Sequence, residues 1–170
     1  KGSKTDFIKF NRMKQKRTKT AWNLGDIFAI KLNNQKCAIG HVLDQRLPNT
    51  IRIALYDEII ESIEGNDLQI LCKDADLISL IEVTKEQIDY GVWKVIGNKV
   101  SNISIQKFAN EQYRHFDWVG SEVYDAAIAE DFMNSFYALL PWDDWYKPDF
   151  LDELLIDISK KPTHLIYKKK

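Results

Sequence analysis

Hydrophobic and polar positions alternate from Asp26 onward. In Asp26-Ile27-Phe28-Ala29-Ile30-Lys31-Leu32, Ile27, Ala29 and Lys31 face one way while Phe28, Ile30 and Leu32 face the other. Cys37 to Leu43 and Ile51 to Tyr56 are rich in Ile, Val, Leu and Ala, as half-buried strands are. Asn33-Asn34-Gln35 and Leu47-Pro48-Asn49 supply turns between them. Residues 22 to 57 are therefore expected to form a three-stranded antiparallel meander. Leu68–Lys73, Leu77–Val83, Val92–Ile96 and Lys99–Ile105 add four more strand-like runs. Gly65-Asn66-Asp67 is a turn before the first of these, and Gly97-Asn98 fits a two-residue hairpin loop between the last two. Thr84 and Gln87 have the spacing of a capping box for a single helical turn ending near Asp89.

The period changes after Ile105. Ser121 is a good N-cap, and Ile128, Phe132, Met133, Phe136, Leu139 and Leu140 recur at three and four in a helix expected over 122 to 140. Pro141 stops it. A second helix is expected from Pro148-Asp149 to Ile158, and Thr163–Tyr167 is a candidate edge strand. The expected class is α+β: a strongly curved antiparallel sheet or partly open barrel of about seven strands, followed by two C-terminal helices packed on it. The sheet spans about 22–105 and the helical part about 118–158 of one domain, 22–170, behind a basic lead-in at 1–21.

Four stretches resemble the bacterial immunity protein 26 family: Gly25-Asp26-Ile27-Phe28-Ala29-Ile30, Ile39-Gly40-His41-Val42-Leu43, Ala54-Leu55-Tyr56-Asp57 and Gly91-Val92-Trp93-Lys94-Val95-Ile96-Gly97. The resemblance covers roughly residues 20 to 100. It implies a bacterial, cytoplasmic binding protein that protects its own cell from a cognate toxin of a polymorphic toxin system, encoded nearby.

Composition adds little to this picture, and charge distribution adds more. The chain has 170 residues, 45% hydrophobic and 29% charged, with a net charge of −1. No apolar run approaches the roughly 20 residues of a membrane span, so no membrane partner is expected. Residues 1 to 20 carry eight Lys or Arg and one acid, Asp6, whereas residues 111 to 157 carry twelve Asp or Glu against Arg114 and Lys147. The basic end suggests a nucleic-acid-binding β-barrel module as an alternative function, but twelve acids would repel phosphate, so nucleic acid is an unlikely partner. Cys37 and Cys72 suit buried reduced thiols, in keeping with a cytosolic location. His41, His115 and His164 are not at ligand spacing, and there is no phosphate-cradling glycine motif or nucleophile elbow. Neither catalytic residues nor a metal or other cofactor are expected.

The candidate toxin-binding residues are Trp142, Asp143, Asp144, Trp145, Tyr146, Asp149, Asp152 and Glu153. Acids steer and orient a basic partner, while Trp and Tyr supply large contact areas. This mixture suits a basic, nucleic-acid-targeting toxin neutralised by occlusion.

Overall fold

The computed structural model describes residues 17–65 and 68–170. Phe7, Phe10 and most of the basic lead-in, and Asn66-Asp67 of the expected turn, lie outside the described residues. The meander forms as its alternation dictates: β1 (Asp26–Lys31), β2 (Cys37–Asp44) and β3 (Thr50–Ile60) pair antiparallel in sequence. The β1–β2 turn places its left-handed residue at Gln35 (φ 71°), while the Asn34 side chain accepts the Lys36 N–H. β4 (Leu77–Thr84) joins β3, and β5 (Lys94–Asn98) crosses back to pair with β1. The order is β4-β3-β2-β1-β5, antiparallel throughout.

The sheet has five strands and is not closed, against the expected seven. Leu68–Lys73 is a loop because Cys72 takes φ 42°, and the Leu71 and Cys72 N–H groups donate to the Glu58 carboxylate (2.7 and 3.0 Å). A carboxylate thus replaces the neighbouring strand that an extended run would need. Gly97 and Asn98 are not a hairpin loop but lie within β5, paired with Ile27 and Asp26. Lys99–Ile105 is not a strand: the Ser101 and Ser104 hydroxyls accept the Ile103 and Gln106 N–H groups, which competes with a ladder. Two 3-10 helices follow, Ile105–Lys107 and Ala109–Phe116. Thr163–Tyr167 makes no strand either, although the Ile166 carbonyl accepts the Trp142 N–H.

The helices are shorter than the apolar stripes suggest. The capping box does not form over α1 (Glu86–Asp89): the Thr84 hydroxyl donates to Glu86, and Gln87 bonds Glu130. The long helix begins at Ala126, with Asp125 as N-cap, and runs to Phe136 (α2). Residues just before it are drawn to the sheet, where Tyr124 bridges Val83 in a parallel sense and the Thr84 hydroxyl accepts the Ala126 N–H. Ser121 instead bonds the Trp118 carbonyl. Past Phe136 the chain leaves the helix, and Ala138 takes φ 58°. α3 (Phe150–Leu154) ends early because the Ile156 N–H donates to Ile78 on the β4 edge, leaving Ile158 exposed.

Each face of the sheet is covered. Phe28, Ile30, Val42, Ile51, Ile53 and Leu55 pack with Trp93, Trp142, Phe132 and Met133 beneath α2 and α3. The Phe28 ring stacks on Trp93 (4.8 Å, 4°) and lies over Gly40, where a Cβ would sit 2.3 Å from the ring. The opposite face buries Ile27, Ile39, Ala54, Tyr56, Leu77 and Leu80 beneath Phe108 and the loops before the long 3-10 helix. That second face also holds polar groups.

Candidate functional site

Among the apolar positions of β3 and β4, Arg52 and Glu82 are the charged exceptions on the second face. Strand alternation puts Arg52 in line with Ala54 and Tyr56, and Glu82 in line with Leu80, so both are forced under the helix Ala109–Phe116. Arg52 is 0% exposed and Glu82 2%. Burying charge demands compensation; Glu82 is well supplied, whereas Arg52 bonds through Nη1 and its Nε and Nη2 have no hydrogen-bond partner among the described residues. Glu82 accepts from Thr50 (2.9 Å), Asn110 (3.0 Å) and Arg46 (3.1 Å). Arg52 donates to Glu111 (2.5 Å) and lies 3.6 Å from Glu82, and Arg114 grips the same Glu111 through two bonds. Burial opposes ionisation of Glu82, but the bonds from Asn110, Arg46 and Thr50 outweigh it and hold the carboxyl below its usual range. Glu111 is held low chiefly by Arg114, against its burial, with help from Arg52.

This network braces a strained loop. After Phe116 the chain passes through the left-handed region at Asp117 (φ 51°), Trp118 (φ 64°) and Gly120 (φ 98°). Two consecutive non-glycine residues in that region cost about 1–3 kcal/mol each and persist only where surroundings enforce them. Here the enforcement is a set of guanidinium contacts with the indole: Arg46, Arg114 and Arg52 lie 4.3, 4.9 and 5.5 Å from the Trp118 ring centroid. The result is a shelf on which Phe116 is 68% and Val119 75% exposed, with Trp118 half-buried behind them.

A family model described as Immunity protein 26 matches residues 23–125, which takes in the sheet, the charge network and the shelf. The chain belongs to the immunity protein 26 family. Its role is accordingly that of an immunity protein, one that binds a cognate toxin. No curated protein and no solved structure was found to match the chain.

The acidic-aromatic segment lies beyond the matched residues of this immunity protein, and its members divide. Trp142 is 1% exposed, packs on Phe132 (5.8 Å) and donates to Asp152 (2.8 Å), so it is a core residue. Trp145 is half-buried against Phe150 (5.0 Å). Tyr146 stands fully in solvent, and Asp144, Asp149 and Glu153 are exposed. The expected acidic field is weakened by lysines folded against it. Asp143 accepts the Lys168 N–H, Asp144 pairs with the Lys168 ammonium (2.8 Å), Asp152 with Lys161 (2.9 Å), and Glu153 with Lys147. Lys161 and Lys168 come from the C-terminal tail, so sequence proximity alone could not reveal this neutralisation.

Sequence inspection missed Arg46, Arg52, Glu82, Glu111, Arg114 and Trp118 as a group. A hint was present, since a single Arg in TIRIALY and a single Glu in LISLIEV interrupt otherwise apolar strands. Among the described residues no group of His, Cys, Asp and Glu converges in a way that could hold a metal ion. Both thiols are buried, and burial pushes Cys72 up to about 12 and raises Cys37.

Stability should depend on pH in two separate windows. His41, 1% exposed, donates from Nε2 to the Gly25 and Lys99 carbonyls (3.0 and 2.7 Å), while Nδ1 has no partner among the described residues. Burial lowers its pKa, against the two carbonyl bonds. The unfolded chain then binds the proton first, so this contribution is complete above about pH 6.5 and is lost as pH falls below that. Glu82 and Glu111, also lowered, contribute above about pH 4.5 and lose their share as pH falls further. Urea titrations between about pH 3 and 8 should show both steps. The upper one should vanish in a folded His41→Asn variant, and a flat wild-type profile between pH 5 and 7 would contradict it.

Proposed function

We propose that the protein neutralises its toxin by occlusion, without chemistry of its own, and that the shelf Phe116–Val119 is the contact surface. The observation that carries this is the strained Trp118 loop, held rigid by three arginines while two apolar side chains stand in solvent. A preorganised apolar projection loses little conformational freedom on binding, and interface energy concentrates in such anchors. The inert thiols and the paired state of Glu82 and Glu111 support a role without catalysis. A protected cell would need the complex in its cytoplasm, where the toxin would act. The alternative nucleic-acid module loses support, because neither face of the sheet offers a bare aromatic platform among the described residues.

A second contact surface is favoured by the full exposure of Tyr146 beside Asp144, Asp149 and Glu153. It would suit a basic, nucleic-acid-targeting toxin. Binding kinetics with the toxin domain encoded beside this chain separate the two surfaces. Phe116→Ala/Val119→Ala is expected to speed dissociation at least tenfold, about 1.4 kcal/mol or more, and to abolish protection of cells. Unchanged dissociation in a folded double variant overturns the shelf. Asp144→Asn/Asp149→Asn/Glu153→Gln would instead slow association, with the deficit shrinking at high salt, if the acidic surface is used.

A further inference from the structure

The two edges of the sheet are finished differently. Along β4, Tyr124 donates to the Glu82 carbonyl and accepts from Thr84, Ile156 donates to Ile78, and the Ser79 hydroxyl bonds Leu154. That edge is closed by the chain itself. β5 pairs with β1 on one side only. At its ends the Trp93 and Lys99 N–H groups are engaged by Gln87 and Gly25, and among the described residues no backbone bond reaches its outer side. Lys94, Val95 and Asn98 are exposed, with Val92 and Tyr90 exposed just before them and Val100 just after.

We propose that the outer edge of β5 receives an extended, acidic segment of a protein partner as a sixth strand. Strand addition satisfies outward N–H and C=O groups and gives affinity through the backbone, while side chains select the sequence. Charge selects here. Lys94 and Lys99 are exposed on and just after the strand, whereas the carboxylate bonded to it, Asp26 on Asn98, is buried. Lys94 also lines, with Lys31, Ala29, Cys37 and Val92, a groove of about 280 Å³ beside the strand, where Glu64 is the single acid. A second copy pairing through β5 would bring the lysines of both edges together. A segment with acids flanking β-branched residues matches both the lysines and the exposed valines. This site goes beyond the shelf and needs neither Phe116 nor Trp118.

The test is an NMR titration of the isotope-labelled full chain with the capped peptide Thr-Glu-Val-Thr-Val-Glu-Thr, its Lys-for-Glu counterpart, and a version N-methylated at alternate residues. The acidic peptide is expected to shift the Lys94–Asn98 amides and slow their hydrogen exchange at least tenfold. The basic peptide should bind at least tenfold more weakly, and the methylated one should give no protection. In Lys94→Glu/Lys99→Glu the preference between acidic and basic peptides should reverse. Acidic-peptide shifts confined to other elements, or no shifts at millimolar concentration, overturn the proposal. So does slow exchange of the outward β5 amides without peptide: independent of protein concentration it means the edge is already covered, and rising with concentration it means a second copy covers it.

Discussion

Glu82→Ala is expected to destabilise the protein by about 3–5 kcal/mol, because it strands Arg52 as a buried charge with part of its compensation removed. Arg52 is wholly enclosed, and Glu82 is the carboxylate that also ties down Arg46, Thr50 and Asn110. The cost is that of an unpaired guanidinium rather than the worth of one ion pair. Replacing both charges, Arg52→Leu with Glu82→Leu, should therefore recover part of the loss, since Glu111 keeps Arg114 and the enclosed guanidinium is gone, although Arg46, with its side chain 10% exposed, still loses its carboxylate. Urea denaturation of the two single variants and the double variant checks this. If the double variant is as unstable as the sum of the singles, trapped charge is not the cause. The same variants bear on the shelf, because Arg46 and Arg52 leave Trp118 less confined when Glu82 no longer orients them.

Phe132→Ala is expected to cost about 3–5 kcal/mol by leaving a cavity. Phe132 is 0% exposed at the centre of α2, with Phe136 and Trp142 rings at 6.2 and 5.8 Å. Neither ring collapses easily into the space, since Trp142 is held through its N–H by Asp152 and Phe136 packs edge-on to Tyr137. Tyr146→Ala, which removes a ring in open solvent, is expected to stay within about 0.5 kcal/mol of wild type. Thermal and urea denaturation of this pair compare core with surface directly. A loss below 1 kcal/mol for Phe132→Ala would mean the α2–sheet layer is loosely packed.

Both effects begin with strand or helix periodicity, yet only one could be anticipated from it. Phe132 stood out because its neighbours recur at three and four, a pattern with one stable solution against a sheet. Arg52 and Glu82 lay in strands whose pattern predicts burial, but nothing in the local sequence says that a segment sixty residues away supplies Glu111, or thirty residues away Asn110. Charge runs misled for the same reason. Asp143, Asp144, Asp152 and Glu153 form an acidic block in sequence, and lysines brought in by chain folding answer it.

The sequence by itself determined the meander of β1 to β3, the α+β class, the apolar stripe of α2 and the family resemblance, because each depends on residues close together along the chain. Strand alternation and helical spacing are local geometric facts that any tertiary arrangement must respect. What only the tertiary structure decided were the strand count and the limits of α2, and with them the site. Glu58 turns one apolar run into a loop, Tyr124 bridges the sheet and delays the start of a helix by four residues, and three arginines from three segments hold Trp118 in a conformation that its own preferences oppose. Those outcomes rest on partners distant in sequence, whose meeting no local propensity encodes.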